Sequence, residues 1–264
     1  MHDHDEDEED AGYTEEDVRK IQEDYEAAKS SEERYDLALA LGDIWLGDDA
    51  EAALSWYEKA HEEMPDDPEA LSGQAEALFE MWEIADAETA CRDALEKHGA
   101  DSRAHYVLAM IQERRGKEAD AMRHYKVASK EDPERFFVPP RLTRHAFESA
   151  AKDAMREIPG EVLQLLKDTT IVIEDLPSDA RIEDFQREGL SPTLLGLFEG
   201  TPPLERSHDA PPALPPRITL FQRNVERVSP DRETLVDEIA RTVLHEIGHC
   251  AGLDEDDLED AGYE

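Results

Sequence analysis

Two histidines and a glutamate in the run Leu244-His245-Glu246-Ile247-Gly248-His249 have the types and spacing from which chemistry can be read. On an α-helix, positions four apart lie on one face one turn from each other. Both imidazoles can therefore converge on a single cation with Glu246 beside them. That arrangement predicts a hydrolytic Zn2+ site in which Glu246 is the general base. Catalytic zinc usually takes three protein donors and keeps one position open. A further donor is expected either among residues 250–264 or upstream of the helix. Gly252 stands three residues after His249, where it can end the helix in a left-handed turn, and Glu255 stands three further on, where the returning chain can aim its carboxylate at the metal. Neighbouring Asp254 and Asp256 keep the choice of carboxylate open. Imidazole and carboxylate donors suit other divalent ions too, so zinc is specified by the motif and not by ligand chemistry alone.

The elements that must hold these residues are legible upstream. Asp231 to Leu244 reads as an amphipathic helix that starts at Pro230-Asp231 and carries Leu235, Ile239, Val243 and Ile247 on one stripe. Just before it, Arg217 to Gln222 reads as a short strand, expected to be the sheet edge that pairs with an extended peptide. Thr169 to Glu174 is β-branched enough for a buried strand. Leu142 to Glu157 is expected to be a helix stopped by Ile158-Pro159-Gly160, with a second short helix from Glu161 to Lys167. The proline-rich stretch Asp175 to Pro216 is too long for a plain connection, and it predicts a flap or cleft rim with a short strand near Leu194 to Phe198.

From about Pro139 to Glu264 the chain resembles the minimal zincin-like metallopeptidases of bacteria. The resemblance rests on the H-E-x-x-H-x-x-G-x-x-[D/E] pattern at His245, Glu246, His249, Gly252 and Glu255. It extends to Leu195-Gly196-Leu197-Phe198-Glu199-Gly200, Glu205-Arg206-Ser207, the strand from Arg217 to Phe221, and Leu258 to Tyr263. The family pattern more often has aspartate where Glu255 stands. The resemblance implies a small α+β domain, zinc as cofactor and peptide hydrolysis. For the oxyanion of such a reaction, Tyr263 and His208 are candidate donors, with ring packing and a solvated loop residue as their plain alternatives.

The first half of the chain has another organisation. With units beginning at Arg34, Pro68 and Ser102, a 34-residue period places Ala53, Ala87 and Ala121 in one slot and Tyr57, Cys91 and Tyr125 four later. Ala60, Ala94 and Ala128 follow, and Pro65, Gly99 and Pro133 close the units. The period and small-residue pattern resemble tetratricopeptide repeats, in which small residues let antiparallel helices approach closely. The early positions of the unit match the repeat consensus poorly. Glu15 to Ser30 is expected to form an added helix capping the stack. The resemblance implies a groove for a peptide or protein partner, with a rigid spacer as the alternative. Trp82, Arg103, Arg114 and Arg115 could line such a groove or simply be solvated.

Composition bounds the remainder. A formal net charge of −39 across 264 residues opposes nucleic-acid phosphate and anionic lipid as partners. A solvated acidic surface explains this charge more simply than a functional field does. The first sixteen residues hold nine carboxylates and no Lys or Arg, which reads as a disordered acidic tail, with His2 and His4 incidental. No apolar run spans a bilayer and no leader-like segment opens the sequence, so a cytoplasmic protein is expected. Cys91 and Cys250 fall in different expected domains, as reduced packing thiols.

The resulting expectation is an acidic tail at 1–14, an all-α tetratricopeptide-type domain at 15–135 and a small zincin-like α+β domain at 136–264, with a seam at Phe136-Phe137-Val138-Pro139-Pro140. Two functions follow. One is a zinc peptidase whose repeats recruit a substrate or partner. The other is a non-catalytic interaction scaffold whose zincin-like domain is an inactive or structural metal module.

Overall fold

The computed structural model describes residues 13–156, 169–200 and 216–253. The chain divides into two compact units between Asp132 and Pro133.

The first unit is helical: α1 (Glu15–Ala27), α2 (Ser31–Trp45), α3 (Ala50–Glu63), α4 (Pro68–Glu80), α5 (Ile84–Lys97), α6 (Ser102–Arg114) and α7 (Glu118–Glu131). Helices α2 and α3, α4 and α5, and α6 and α7 pack as successive pairs, with α1 laid on α2. The slots expected to be small are the contact surfaces. Ala53, Ala60, Ala87, Ala94 and Ala128 are fully buried, and Ala121 is nearly so. Tyr57 fills the first intermediate slot with its ring wedged between two glycines. A β-carbon at Gly42 or Gly73 would lie 2.5 Å from that ring. Its hydroxyl donates to Asp43 at 2.6 Å. Cys91 and Tyr125 occupy the same slot in the next units, both fully buried.

The four residues proposed for the groove are engaged within this unit. Arg103 is 4% exposed; its guanidinium meets the Asp43 carboxylate, Glu76 Oε2 at 3.1 Å and Tyr57 Oη at 3.4 Å. Arg115 donates to both Glu88 carboxylate oxygens at 2.8 and 2.6 Å. Arg114 sits over the Trp82 ring at 4.7 Å. Trp82 itself is buried at a left-handed turn, φ 66°, one repeat before Gly116, φ 68°. Charge pairing, ring contact and turn geometry within the unit thus engage all four residues.

The second unit contains α8 (Arg144–Met155), β1 (Thr170–Glu174), a 3-10 turn (Asp179–Arg181), α9 (Ile182–Glu188), β2 (Gly196–Glu199), β3 (Arg217–Phe221), α10 (Gln222–Arg227) and α11 (Arg232–Ala251). Among the described residues the sheet order is β1-β3-β2, with β1 parallel and β2 antiparallel to β3. The strand at 217–221 is therefore central, and not the sheet edge that sequence predicts. The reason is pairing along both of its edges, with β1 on one side and β2 on the other, and Ile218, Thr219, Leu220 and Phe221 are all at most 2% exposed. β2 is the antiparallel edge. The stretch from 175 to 216 is not a bare connection either, since it carries the 3-10 turn, α9 and β2. The short helix expected at 161–167 lies outside the described residues.

The core of this unit joins the apolar stripe of α11, Leu235, Ile239, Val243 and Ile247, to Phe147 and Ala151 of α8 and Ile218 and Leu220 of β3. Cys250 belongs to this cluster and is fully buried, as its packing role predicts. Both cysteines are free thiols, and burial pushes the Cys91 thiol well above its ordinary value.

Candidate metal centre and general base

Helix α11 carries His245, Glu246 and His249, and its two ends are closed by its own sequence. At the start, the Asp231 carboxylate accepts from the Glu233 and Thr234 amides at 2.9 and 3.0 Å. Those bonds hold its carboxyl below the ordinary aspartate range and satisfy two of the helix's unpaired amide donors. At the other end Gly252 takes φ 86°, a left-handed conformation that costs a side-chain-bearing residue about 1–2 kcal/mol. Its amide donates to the His249 carbonyl at 3.0 Å and the Leu253 amide to the Gly248 carbonyl at 3.1 Å. This is the left-handed helix stop expected of Gly252.

The imidazoles converge. His245 Nε2 and His249 Nε2 are 3.0 Å apart, with ring centroids 4.6 Å apart and planes at 86°. His249 Nδ1 faces the Leu253 carbonyl oxygen at 3.3 Å. That contact favours the proton on Nδ1 and leaves the Nε2 lone pair toward His245, the backbone-fixed tautomer typical of a metal-ligating histidine. Two nitrogens on a tetrahedral zinc with bonds of about 2.0–2.1 Å would be about 3.3 Å apart, so a movement of a few tenths of an ångström seats both on one ion. The donors present thus fit two ligands of a zinc site. Among the described residues no third His, Cys, Asp or Glu completes a cluster. Glu255, Asp254 and Asp256 lie outside the described residues, as do His208, Tyr263, His2 and His4.

Glu246 is 5% exposed and turns from α11 toward β2. Its carboxylate lies against the backbone of Gly196, the first residue of the edge strand. A β-carbon at Gly196 would come 2.5 Å from Glu246 Oε1 and 2.6 Å from its Cγ. The backbone at this point is held in place. The Asn224 amide, buried on α10, donates to the Pro192 and Leu194 carbonyls at 3.0 and 2.6 Å, and the Phe221 amide donates to the Leu195 carbonyl at 2.8 Å. Gly196 was legible as part of a family motif. Its contact with the glutamate was not, although a glycine opening a strand is the signal of a close approach.

This second unit is thus a small α+β domain that presents two convergent histidines and a buried glutamate beside an antiparallel edge strand. Comparison with known families agrees: the model of the zincin-like metallopeptidase family matches residues 166–263, and that of the tetratricopeptide repeat matches residues 45–111. The chain carries a zincin-like domain C-terminal to tetratricopeptide repeats. No curated protein matches it. Among the described residues, no helix is long and apolar enough to cross a membrane.

Proposed function

We propose that the chain is a zinc-dependent peptidase, with residues 136–264 as the hydrolytic domain and residues 15–135 recruiting a substrate or partner protein. The observation that carries this reading is the convergence of His245 and His249 to 3.0 Å, with Glu246 of the same helix buried against β2. The ligands in this reading are His245, His249 and a carboxylate from the returning chain, Glu255. Zinc, when bound, supplies Lewis acidity, polarising a carbonyl and making water a better acid.

The chain's own residues supply the remainder. Among the described residues β2 is the edge of the sheet, and an extended peptide would add its backbone there as a further strand. Glu246, next to the start of β2, would take a proton from an attacking water and return it to the leaving amine. Burial of Glu246 keeps its carboxylate away from bulk solvent. Two buried free thiols are at home in a reducing compartment, and we place the protein in the cytoplasm.

The test is a peptide-library digestion by the full chain, loaded with zinc and then stripped by a chelator. Cleavage that disappears with the metal and returns on reloading supports the reading. A chain that holds stoichiometric zinc yet cuts nothing would instead be an interaction scaffold with a structural metal.

A further inference from the structure

Outside the candidate centre, a second histidine pair brings two ring nitrogens together, here from two helices and with the ring planes at 36°. His105 on α6 and His124 on α7 face each other with Nδ1 atoms 2.8 Å apart and ring centroids 5.0 Å apart. Here too one ring is held from behind by a carbonyl, His105 Nε2 lying 3.3 Å from the Gly99 oxygen. That contact favours the proton on Nε2 and leaves the His105 Nδ1 lone pair directed at His124. When His124 also carries its proton on Nε2, two lone pairs point into the same space, an arrangement that a cation resolves. Ligands in adjacent positions on a transition metal, with bonds of about 2.0–2.1 Å, are about 2.9 Å apart at a right angle and about 3.3 Å at the tetrahedral angle. The observed separation is within a small ring rotation of either. Both rings are only partly buried, so solvent can reach the site and fill remaining coordination positions.

We propose that His105 and His124 form a divalent transition-metal site, of the Ni2+, Cu2+ or Zn2+ class, that ties α6 to α7 in the third repeat. The site is independent of the C-terminal histidines and of any peptidase activity. Imidazole is the donor these ions favour, and the strongly acidic chain raises the local concentration of cations. Burial and the neighbouring His105 hold the His124 imidazole below its ordinary value, which favours the neutral, ligating form of that ring. Asp120, one turn before His124 on α7, lies close enough for its charge to act on that ring. Occupancy would fasten the two helices of this repeat and stiffen the surface they present.

The experiment uses the full chain with His245 and His249 both changed to Ala, so that the C-terminal pair takes no metal. Zn2+ is titrated while the imidazole nitrogens are followed by 15N NMR, and Ni2+ is titrated while thermal unfolding is recorded. The expected result is saturable movement of the His105 and His124 Nδ1 resonances and a rise in Tm with Ni2+. His124→Ala should weaken binding tenfold or more and remove the response of His105. His105→Gln, at the other member of the pair, should do the same and serves if His124→Ala lowers the helical content. The proposal is overturned if the two rings fail to respond to metal. It is equally overturned if the metal-induced rise in Tm survives in both variants, which would place binding elsewhere, or if the rings respond to pH alone, leaving an ordinary histidine hydrogen bond.

Discussion

Gly196→Ala is the smallest change that reaches the candidate base without touching either histidine. The new β-carbon would stand 2.5 Å from Glu246 Oε1 and 2.6 Å from Glu246 Cγ, where non-bonded heavy atoms normally keep about 3.5–4.0 Å. A shortfall of about 1 Å must be relieved. The strand is poorly able to relieve it, because Asn224 holds the carbonyls of Pro192 and Leu194 and the Phe221 amide holds that of Leu195. Glu246 has to swing instead. A misplacement of about 1 Å in a catalytic group costs about 10²-fold in rate, within the 10²–10⁴-fold or so that a general base contributes in total. The measurement is kcat/KM on any peptide that the wild type cleaves, with metal content and circular dichroism in parallel. Activity should fall about 10²-fold while zinc stoichiometry and helical content stay as in wild type. Wild-type turnover in Gly196→Ala would refute the reasoning, as would a loss fully accounted for by missing zinc.

Three further outcomes are expected. Gly42→Ala and Gly73→Ala, which in a solvated helix would each gain about 0.8–1.0 kcal/mol, should destabilise here, because overpacking against the wedged Tyr57 ring costs about 1–3 kcal/mol; a raised Tm in either variant contradicts the packing account. Glu255→Ala should lower zinc affinity more than Asp254→Ala or Asp256→Ala, and equal losses in a competition titration would mean that another residue is the third ligand. Hydrogen bonds from Arg115 hold the Glu88 carboxyl below its ordinary value. Their stabilisation is therefore present in full above the ordinary glutamate value of about 4.3 and lost as pH falls through the lower folded-state value. Arg115→Gln should accordingly reduce Tm at pH 7 and reduce it less at pH 3, and an effect that grows with acidity would reverse the sign of the argument.

The parts of this fold that could be read from sequence are those governed by spacing along one helix. The 34-residue slots of Ala53, Ala87 and Ala121, the apolar stripe of α11 and the Gly252 stop all depend on local periodicity or on one residue's backbone freedom, and each appears as expected. Strand order depends on pairing between distant segments. Arg217 to Phe221 reads as an edge because it precedes the histidine helix, yet Ile218-Thr219-Leu220-Phe221, without a charged residue on either face, is what a strand covered on both faces requires. Arg103 is illegible for a related reason: sequence leaves it between a groove and solvent, because its partners, Asp43 and Glu76, lie on two other helices. In the candidate site, the convergence of His245 and His249 follows from their spacing of four. The packing of Glu246 against Gly196 joins residues fifty positions apart, and a glycine opening a strand signals a close approach without naming its partner.

The most direct measurement compares wild type with Glu246→Gln, both loaded with zinc, for metal content and for products released from a peptide library by mass spectrometry. The account predicts equal zinc in the two proteins, cleavage by wild type, and cleavage reduced by at least about 10²-fold in the variant, because the ligands remain and the proton acceptor is lost. Equal cleavage by both proteins would remove Glu246 from the chemistry, and loss of zinc from the variant would make it a ligand instead of a base.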